Sequence, residues 1–391
     1  MLTGPRVISL VSCDLCSKVP VPAHAEHIGN GCDIWRSFQP MAELRRQGYA
    51  PFPNGEPGAQ WAWKDEDAAP MVADLFDAVI LPRLSWHDRR VGERFIGALH
   101  RAGKAAIFEV DDDLFSPAIN QRLQQTTSGG QSLAELERKR LDRLAALRLC
   151  DGVTVASRRL ATVLRGLTDR PVVTVPNMLD VRWFRAVVKR APRLVRGLTV
   201  GWAGGARPDD DLEPMARAWG QLAQRYPDVT FVVAGYQPDV IGQYVPAHRV
   251  RRLPWVEPAL YPMSFAQFDI ACCAVSDTPF SRSKTPIKVW ESTLGGAAVV
   301  ATPALYGQTI EDGEDGLLAE TAREWESALA TLIESKATRR ELRAGQTCRI
   351  RRDHSLDRNA WRWPAAWSHI VADFRQRQTA PPARELVLAG R

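Results

Sequence analysis

The sequence has few cysteines and lacks a long hydrophobic run. Its seven cysteines stand at unrelated spacings, and the one close pair, Cys13 and Cys16, has no second pair to complete a zinc site. No window has the roughly 18 uncharged apolar residues that a membrane span needs, and no clean cleavage site follows the short apolar N-terminus. We therefore expect a reduced, cytoplasmic protein without a membrane span, signal peptide or structural zinc.

A strong excess of one charge is also lacking. The 51 Lys and Arg against 45 Asp and Glu give a net charge of +6, which permits an anionic partner but does not require one. The content of 45% hydrophobic and 25% charged residues is that of a globular protein. At 391 residues the chain is too long for one hydrophobic core, so we expect two domains.

Short apolar runs alternate with helical patterns along most of the chain. This alternation predicts parallel sheets covered by helices. The clearest predicted strands are residues 77–82, 105–110, 198–202, 229–234 and 297–302. Because a strand, a glycine-containing loop and a helix begin each half, the sequence predicts two similar Rossmann-like domains.

The most informative segment is residues 281–316, which contains a basic turn, a helix with one acid, two glycines and an apolar strand. Lys284 and Lys288 stand where the helix begins, and Glu291 lies one turn further in. A loop that leads into a helix N-terminus attracts phosphate through free N–H groups and the helix dipole. The segment therefore predicts a site for a diphosphate with a polar sugar ring beside it.

This segment resembles the donor-binding segment of GT-B glycosyltransferases, in particular the retaining nucleotide-sugar enzymes of glycosyltransferase family 4. Their pattern is an acid, seven residues and a second acid, and Glu291 matches the second acid, which binds the ribose in that family. Ser283 replaces the first acid, and the Lys-x-x-x-Lys pattern at 284–288 resembles divergent phage and bacterial members. The resemblance implies that four further residues line the donor site: Ser283, Thr285, Pro286 and Ile287.

The resemblance covers about residues 5–370 and implies the GT-B fold, in which two Rossmann-like domains of α/β type, each with a parallel sheet, face a cleft. Four segments are expected: an acceptor domain over 1–180, a linker over 181–196, a donor domain over 197–355, and a helix over 356–391 that crosses back onto the first domain and ends in a loose tail. Such enzymes usually need no metal, so we expect no metal or cofactor besides the nucleotide-sugar substrate.

Other candidate donor residues follow predicted strands. Gly29, Gly31 and Arg36 belong to the first strand-to-helix loop, where glycines let the backbone approach a ligand closely. Trp202 and Gly204 stand at the matching place in the second half.

Two cations are needed to stabilise the charge that builds on a departing diphosphate. Arg207 matches the diphosphate-binding arginine of the family, while Asp211 stands near the place of its lysine. Lys284 or Lys288 can supply the second cation, and we predict these two lysines with Arg207 as the catalytic clamp.

Four acids, Glu109 and residues 111–113, stand at the end of the strand 105–110. The carboxyl ends of parallel strands carry the sites of α/β enzymes, so Asp111 is our candidate to orient an acceptor hydroxyl. Because adjacent acids repel each other, we expect at least one to cap the next segment or to pair across the cleft. An Asp-x-Asp metal site is the less favoured alternative, because the surrounding pattern does not match GT-A transferases.

Six basic residues and two aromatics lie at the predicted domain junction, within 182–196. Among them Arg182, Arg185 and Lys189 are candidates to bind a phosphate-rich acceptor such as DNA. The alternative is that these charges are solvated or are offset by acids of the facing domain.

Together these patterns favour a retaining, hexosyltransferase-type enzyme that moves a sugar from a nucleotide sugar, a UDP-sugar first, to an acceptor hydroxyl. The acceptor is either a hydroxymethylated base in phage DNA or a glycan, lipid or small molecule. The alternative from another class is a nucleotide-sugar or nucleic-acid binding protein without catalysis, since Ser283 and Asp211 replace family residues.

Overall fold

The computed structural model describes residues 5–9, 34–49, 76–83, 89–120, 132–205, 208–257 and 259–379. The strands in these ranges form two separate parallel sheets, with five strands in the first and six in the second. The predicted α/β architecture of two parallel-sheet domains is confirmed. Within the same ranges, no helix is both long enough and apolar enough to span a membrane.

The first sheet runs in chain order, with each described strand next to its predecessor. Its strands are β1 (Val7–Ser9), β2 (Ala78–Pro82), β3 (Ala105–Val110), β4 (Gly152–Val155) and β5 (Val172–Thr174). Its helices are α1 (Gln39–Arg46), which continues a π-helical turn at Ile34–Phe38, α2 (Arg89–Arg101), α3 (Leu133–Leu149) and α4 (Arg158–Arg165). Every residue of β2, β3 and β4 is buried, as expected for parallel strands covered on both faces.

The second sheet has the order β11-β10-β9-β6-β7-β8. Its strands are β6 (Thr199–Gly204), β7 (Thr230–Gly235), β8 (Val250–Leu253), β9 (Ile270–Cys273), β10 (Ala298–Ala301) and β11 (Leu317–Leu318). Chain order reverses between β6 and β9, and α/β proteins bind ligands at such a point, outside the carboxyl ends of the strands.

The helices from the domain junction to the end of the described chain follow in order. They are α5 (Val181–Arg190), α6 (Glu213–Arg225), α7 (Asp239–Tyr244), α8 (Pro262–Phe265), α9 (Pro279–Ser283), α10 (Ile287–Gly295), α11 (Pro303–Tyr306), α12 (Ala322–Glu334), α13 (Lys336–Arg349), α14 (Leu356–Asn359) and α15 (Arg362–Thr379). Short 3-10 turns at Asp209–Asp211 and Ala247–Arg249 and a π-helical turn at Ile350–His354 complete the list.

The last helix, α15, packs on the first sheet although it follows the second domain in sequence. Trp363, Trp367 and Phe374 share a buried cluster with Ile80 and Ile107 of the first sheet. The chain thus passes between the domains twice, and the two passages touch. The Leu179 N–H donates to the His354 carbonyl at 2.9 Å, and the Leu356 N–H donates to the Leu179 carbonyl at 3.0 Å.

Local sequence signals fix the helix ends. Ser132 and Glu135 form a capping box at the start of α3. The Asp180 side chain accepts a hydrogen bond from the Trp183 N–H and so caps α5. The basic segment is therefore helical as far as Arg190. Gly296 ends α10 with φ of 115°, a left-handed conformation that glycine adopts without steric cost.

Candidate functional site

Three consecutive residues of the second domain bond to the first domain across the cleft. The Ser157 hydroxyl donates to the Ser283 carbonyl at 2.5 Å, and the Lys284 ammonium pairs with Asp112 at 2.7 Å. The Asn177 amide donates to the Thr285 hydroxyl oxygen at 2.7 Å. The loop before α10, which the sequence predicts to bind the donor, is therefore held by both domains.

Glu291 lies on α10 in the interior, with 1% of its surface exposed. Its Oε2 atom is buried and accepts no hydrogen bond from the described residues. Burial raises the pKa of this carboxyl to about 7, although the Lys288 charge opposes the rise. Because buried polar atoms are nearly always hydrogen-bonded, an unpaired carboxylate oxygen marks a place for a ligand donor.

Lys288 connects Glu291 to an aromatic surface that we did not predict from the sequence. Its ammonium lies 3.9 Å from Glu291 Oε2 and donates to the Tyr261 hydroxyl at 2.6 Å. The Tyr261 ring stacks against Trp255, with centroids 6.4 Å apart, and Trp255 is 62% exposed. Aromatic residues close together after a sheet strand, Trp255 and Tyr261, are the signal that could have revealed this surface, because exposed apolar groups that lie together mark interaction sites.

The three acids after β3 all accept hydrogen bonds, two from basic side chains and one from the next turn. Asp111 accepts from Arg83 at 2.7 Å, and Asp112 accepts from both Arg83 and Lys284 at 2.7 Å. Burial raises the pKa of Asp112, but the Lys284 and Arg83 charges outweigh it and lower the pKa to about 2. Asp113 accepts from the Ser116 N–H and hydroxyl and so caps the next turn. We expected at least one of these acids to cap the next segment or to pair across the cleft. Asp113 caps the next turn, and Asp112 pairs with Lys284 across the cleft.

Arg83 has a strained backbone, with φ of 47°. A non-glycine residue in this left-handed region costs about 1–2 kcal/mol. Its guanidinium contacts Asp111 and Asp112 on the adjacent strand end, which explains how the conformation is held. Asp111, our candidate to orient the acceptor, is therefore already bound to a cation at the edge that faces the second domain.

Arg36 is buried rather than open to the cleft, with 4% of its surface exposed. It donates to Glu109 at 2.6 Å, to the Val175 carbonyl at 2.5 Å and to Asn177 Oδ1 at 3.0 Å, and it lies 4.4 Å from the Trp363 ring centre. Burial raises the pKa of Glu109 to about 7, while Arg36 and a hydrogen bond from Thr154 lower it. This geometry makes Arg36 a structural link in the first domain. Its Nη2 atom is buried and has no hydrogen-bond partner among the described residues, so a donor contact of Arg36 stays a prediction.

Trp202 is also a core residue, with 1% exposure in the cluster beneath α6. A Cβ on Gly204 would lie 2.6 Å from its indole, and a Cβ on Gly235 would lie 2.6 Å from the Gly204 carbonyl. We therefore place Trp202 in the core beside the end of β6 rather than in contact with the donor. The two glycines let the ends of β6 and β7 approach each other closely.

The acid that replaces the family lysine has a structural role. Asp211 is buried and accepts from the Ser276 N–H at 2.9 Å and hydroxyl at 2.6 Å, which joins the loops after β6 and β9. It lines a cavity of about 170 Å³ together with three more acids, Asp210, Asp277 and Glu320. Within the described ranges, no three His, Cys, Asp or Glu side chains are grouped to hold a metal ion.

The basic residues at the junction are partly offset by acids. Arg182 pairs with Glu43 of the first domain at 2.8 Å. Burial, together with the Arg351 charge, lowers the pKa of Arg185. Lys189 lies in the last turn of the same helix, α5.

Three predicted site residues, Gly29, Gly31 and Arg207, lie outside the described residues. Of the predicted set, the structure brings Lys284, Thr285, Lys288 and Glu291 together around the start of α10, where Pro286 is the N-cap residue and Ile287 the first helical residue. Ser283 is buried, and its hydroxyl donates to the Pro279 carbonyl at 2.9 Å.

Comparisons with known proteins agree with this geometry. Residues 197–335 match the family model described as Glycosyl transferases group 1. TuaH of Bacillus subtilis (strain 168), named as a teichuronic acid biosynthesis glycosyltransferase, is 28% identical over 191 residues. The alignment covers 45% of this chain and 47% of TuaH, so the chain matches about half the length of this relative.

Two solved structures are similar over nearly the whole chain. Sucrose-phosphate synthase from Thermosynechococcus elongatus is 14% identical with a TM-score of 0.58, over 94% of this chain and 99% of that one. Anabaena HepE in complex with UDP-glucose is 15% identical with a TM-score of 0.57, over 95% of this chain and all of that one. The chain thus has the GT-B fold, and its residues 197–335 match the model of group 1 glycosyl transferases.

Proposed function

We propose that this protein is a glycosyltransferase that binds a nucleotide sugar at the carboxyl edge of its second sheet. The observation that carries the proposal is Glu291, which lies one turn into α10 and whose buried Oε2, 3.9 Å from the Lys288 ammonium, lacks a hydrogen-bond partner among the described residues. Two adjacent hydroxyls of a ribose are the donors that such a carboxylate needs.

The nucleobase would stack on Trp255. Trp255 stacks on Tyr261, the Tyr261 hydroxyl accepts from Lys288, and Lys288 lies beside Glu291. The base and the ribose would therefore bind at neighbouring positions. Stacking of a base on an aromatic ring is worth about 1–3 kcal/mol. Uracil is the base we propose, because HepE was solved with UDP-glucose and the TarM structure from S. aureus with UDP.

The diphosphate would lie at the N-terminus of α10, close to Lys284 and Lys288. Charge accumulates on the diphosphate as the glycosidic bond breaks, and fixed cations stabilise it without a general acid. Arg207, which lies outside the described residues, completes the proposed clamp. We further propose retention of configuration, with departure and attack on the same face of the sugar, and no requirement for a divalent metal.

The acceptor would approach the carboxyl edge of the first sheet, where Asp111 lies. We propose a glycan, lipid or small-molecule acceptor, supported by TuaH and its name in teichuronic acid biosynthesis. A modified base in phage DNA has less support, because Glu43 already offsets Arg182. A cytoplasmic location remains our prediction.

The test is turnover with a panel of nucleotide sugars. We expect release of UDP from at least one UDP-sugar with a glycan acceptor, loss of that activity in Glu291→Ala, and retained activity in EDTA. Binding of UDP without turnover of any donor would favour a catalytically inactive binding protein. Loss of activity in EDTA with rescue by Mn²⁺ would contradict the metal-free mechanism.

A further inference from the structure

Thr285 is the residue of the donor loop whose hydroxyl is oriented by the first domain. Its Oγ1 accepts a hydrogen bond from Asn177 Nδ2 at 2.7 Å. In the part of the chain that the structure describes, this hydroxyl donates no hydrogen bond. A threonine hydroxyl has one proton and two lone pairs, so accepting from Asn177 turns the proton away from Asn177.

Arg36 fixes the direction of the Asn177 amide. An arginine can only donate, so the atom of Asn177 that receives Arg36 Nη1 at 3.0 Å must be the carbonyl oxygen. The NH₂ group of Asn177 then has to face Thr285. Arg36 is itself held by Glu109 at 2.6 Å and by the Val175 carbonyl at 2.5 Å, and Asn177 is 3% exposed. The orientation is therefore determined by a buried network of the first domain.

The backbone directly after Thr285 lacks an N–H donor. The next residue, Pro286, is the N-cap of α10 and has no N–H. The neighbouring side chains are cationic, with Lys284 before it and Lys288 in the first turn of the helix. An added O–H donor between two lysines suits a ligand oxygen that only accepts hydrogen bonds, as a phosphate oxygen does.

We propose that Asn177 is a positioning residue of the first domain that directs the Thr285 hydroxyl proton to an oxygen of the donor diphosphate. This inference rests on the proposed donor site. It makes diphosphate binding depend on both domains, because the residue that sets the direction and the residue that donates lie on opposite sides of the cleft.

The test is a double-mutant cycle with UDP as the ligand in calorimetry. Asn177→Asp keeps the acceptor for Arg36 but removes the donor, so the Thr285 hydroxyl should donate to residue 177 instead of to UDP. Thr285→Val removes the hydroxyl at similar volume, and Thr285→Ser retains it as the control. A hydrogen bond to a charged group is worth roughly a ten- to hundredfold change in affinity.

We expect Thr285→Val to weaken UDP binding at least tenfold and Thr285→Ser to preserve it. The new carboxylate of Asn177→Asp also repels UDP. In the Thr285→Val background there is no hydroxyl to redirect, so the loss of UDP affinity on Asn177→Asp measures that repulsion alone. Asn177→Asp should therefore cost roughly ten times more with Thr285 present than with Val at 285. Uridine, which lacks the diphosphate, should bind all variants equally, and thermal unfolding checks that each variant is folded.

Other outcomes separate the inference from the proposed function. If the wild type binds UDP and Thr285→Val binds it equally well, the inference is overturned and the donor site stands. Equal costs of Asn177→Asp in both backgrounds, or an equal loss of uridine binding, would overturn it in the same way. If the wild type binds no nucleoside diphosphate, including ADP and GDP, the proposed function fails and the inference fails with it.

Discussion

Two buried glutamates, one in each domain, have the same burial but different surroundings. Glu109 in β3 and Glu291 in α10 are each 1% exposed, and burial raises the pKa of both to about 7. Glu109 accepts hydrogen bonds from Arg36 and Thr154. In the described part of the chain, Oε2 of Glu291 has no donor.

The comparison teaches that a perturbed pKa does not by itself identify a ligand site. Structural ion pairs and binding sites both contain buried carboxyls, so the pKa of each responds to the same desolvation. Whether the hydrogen bonds of the buried group are satisfied within the protein separates the two cases. Glu109 takes part in a network of the fold, whereas Oε2 of Glu291 accepts no hydrogen bond from the described residues, and we propose that the ribose of the donor supplies one.

The largest effect should follow from breaking the buried Arg36–Glu109 pair. Glu109→Ala leaves the Arg36 guanidinium buried without its counter-ion, and removing one partner of a buried pair costs about 3–5 kcal/mol. Urea unfolding measures this free energy. The double variant Arg36→Met with Glu109→Leu should recover only part of the loss, because no charge remains unpaired but the Val175 carbonyl and Asn177 Oδ1 lose their donor. The comparison fails if Glu109→Ala costs no more stability than Glu291→Ala.

The next effect concerns rate and tests the cation that contacts both domains. Lys284→Ala should reduce turnover on the order of 10²–10³-fold, as loss of a fixed charge that stabilises the transition state does. Asp112→Asn is the matched control, since it breaks the 2.7 Å pair across the cleft but keeps the lysine. Equal rate losses in the two variants would mean that the interdomain pair, and not a diphosphate contact, explains the role of Lys284.

The same comparison shows what could be predicted from the sequence. The strand at 105–110 has the predicted bounds, because an apolar run between Lys104 and Asp111 leaves little choice. Glu291 was singled out as a candidate through the spacing of one segment, and its role stays a prediction. The edge strand β8 was missed, since its sequence VRRL contains two exposed arginines and resembles a polar loop.

The pairing partners could not be predicted, because they depend on contacts between distant parts of the chain. Arg36 lies 73 positions from Glu109, and in sequence it resembles a loop cation that is open to a ligand. Asn177 and Thr285 are 108 positions apart and meet only because the two domains pack face to face. Local patterns predict elements, while the choice between a structural and a binding role depends on partners that only the fold brings close.

A moderate effect should follow from removing the unsatisfied glutamate. Glu291→Ala should weaken UDP binding by about 1.5–3 kcal/mol, the scale of hydrogen bonds to a charged group. Stability should stay constant or rise, because the variant no longer buries a carboxyl oxygen that lacks a hydrogen bond. Calorimetry and urea unfolding give the two numbers. A folded Glu291→Ala protein with unchanged UDP affinity would remove Glu291 from the donor site.

The smallest effect is a pH dependence that should arise from Glu291 alone. Hydrogen bonds from ribose hydroxyls favour the ionised carboxyl, so ligand binding should lower the pKa of Glu291 from about 7 and release a proton. Affinity should then rise with pH, by up to about tenfold per unit below pH 7, and level off above it. Uridine is the suitable ligand, because the phosphates of UDP titrate near the same pH.

The free energy of unfolding should fall as pH rises, whereas uridine affinity should rise, so the two measurements can be told apart. A carboxyl whose folded pKa is raised holds its proton more tightly in the folded state than in the unfolded state. The contribution of Glu291 to the free energy of unfolding is therefore fully present below the unfolded pKa of 4.5 and is lost as pH rises towards 7. Glu291→Gln should flatten the pH dependence of uridine affinity and reduce the fall in stability, whereas Glu109→Gln should change only the stability. A uridine affinity that depends on pH equally in the wild type and Glu291→Gln would show that another group titrates on binding.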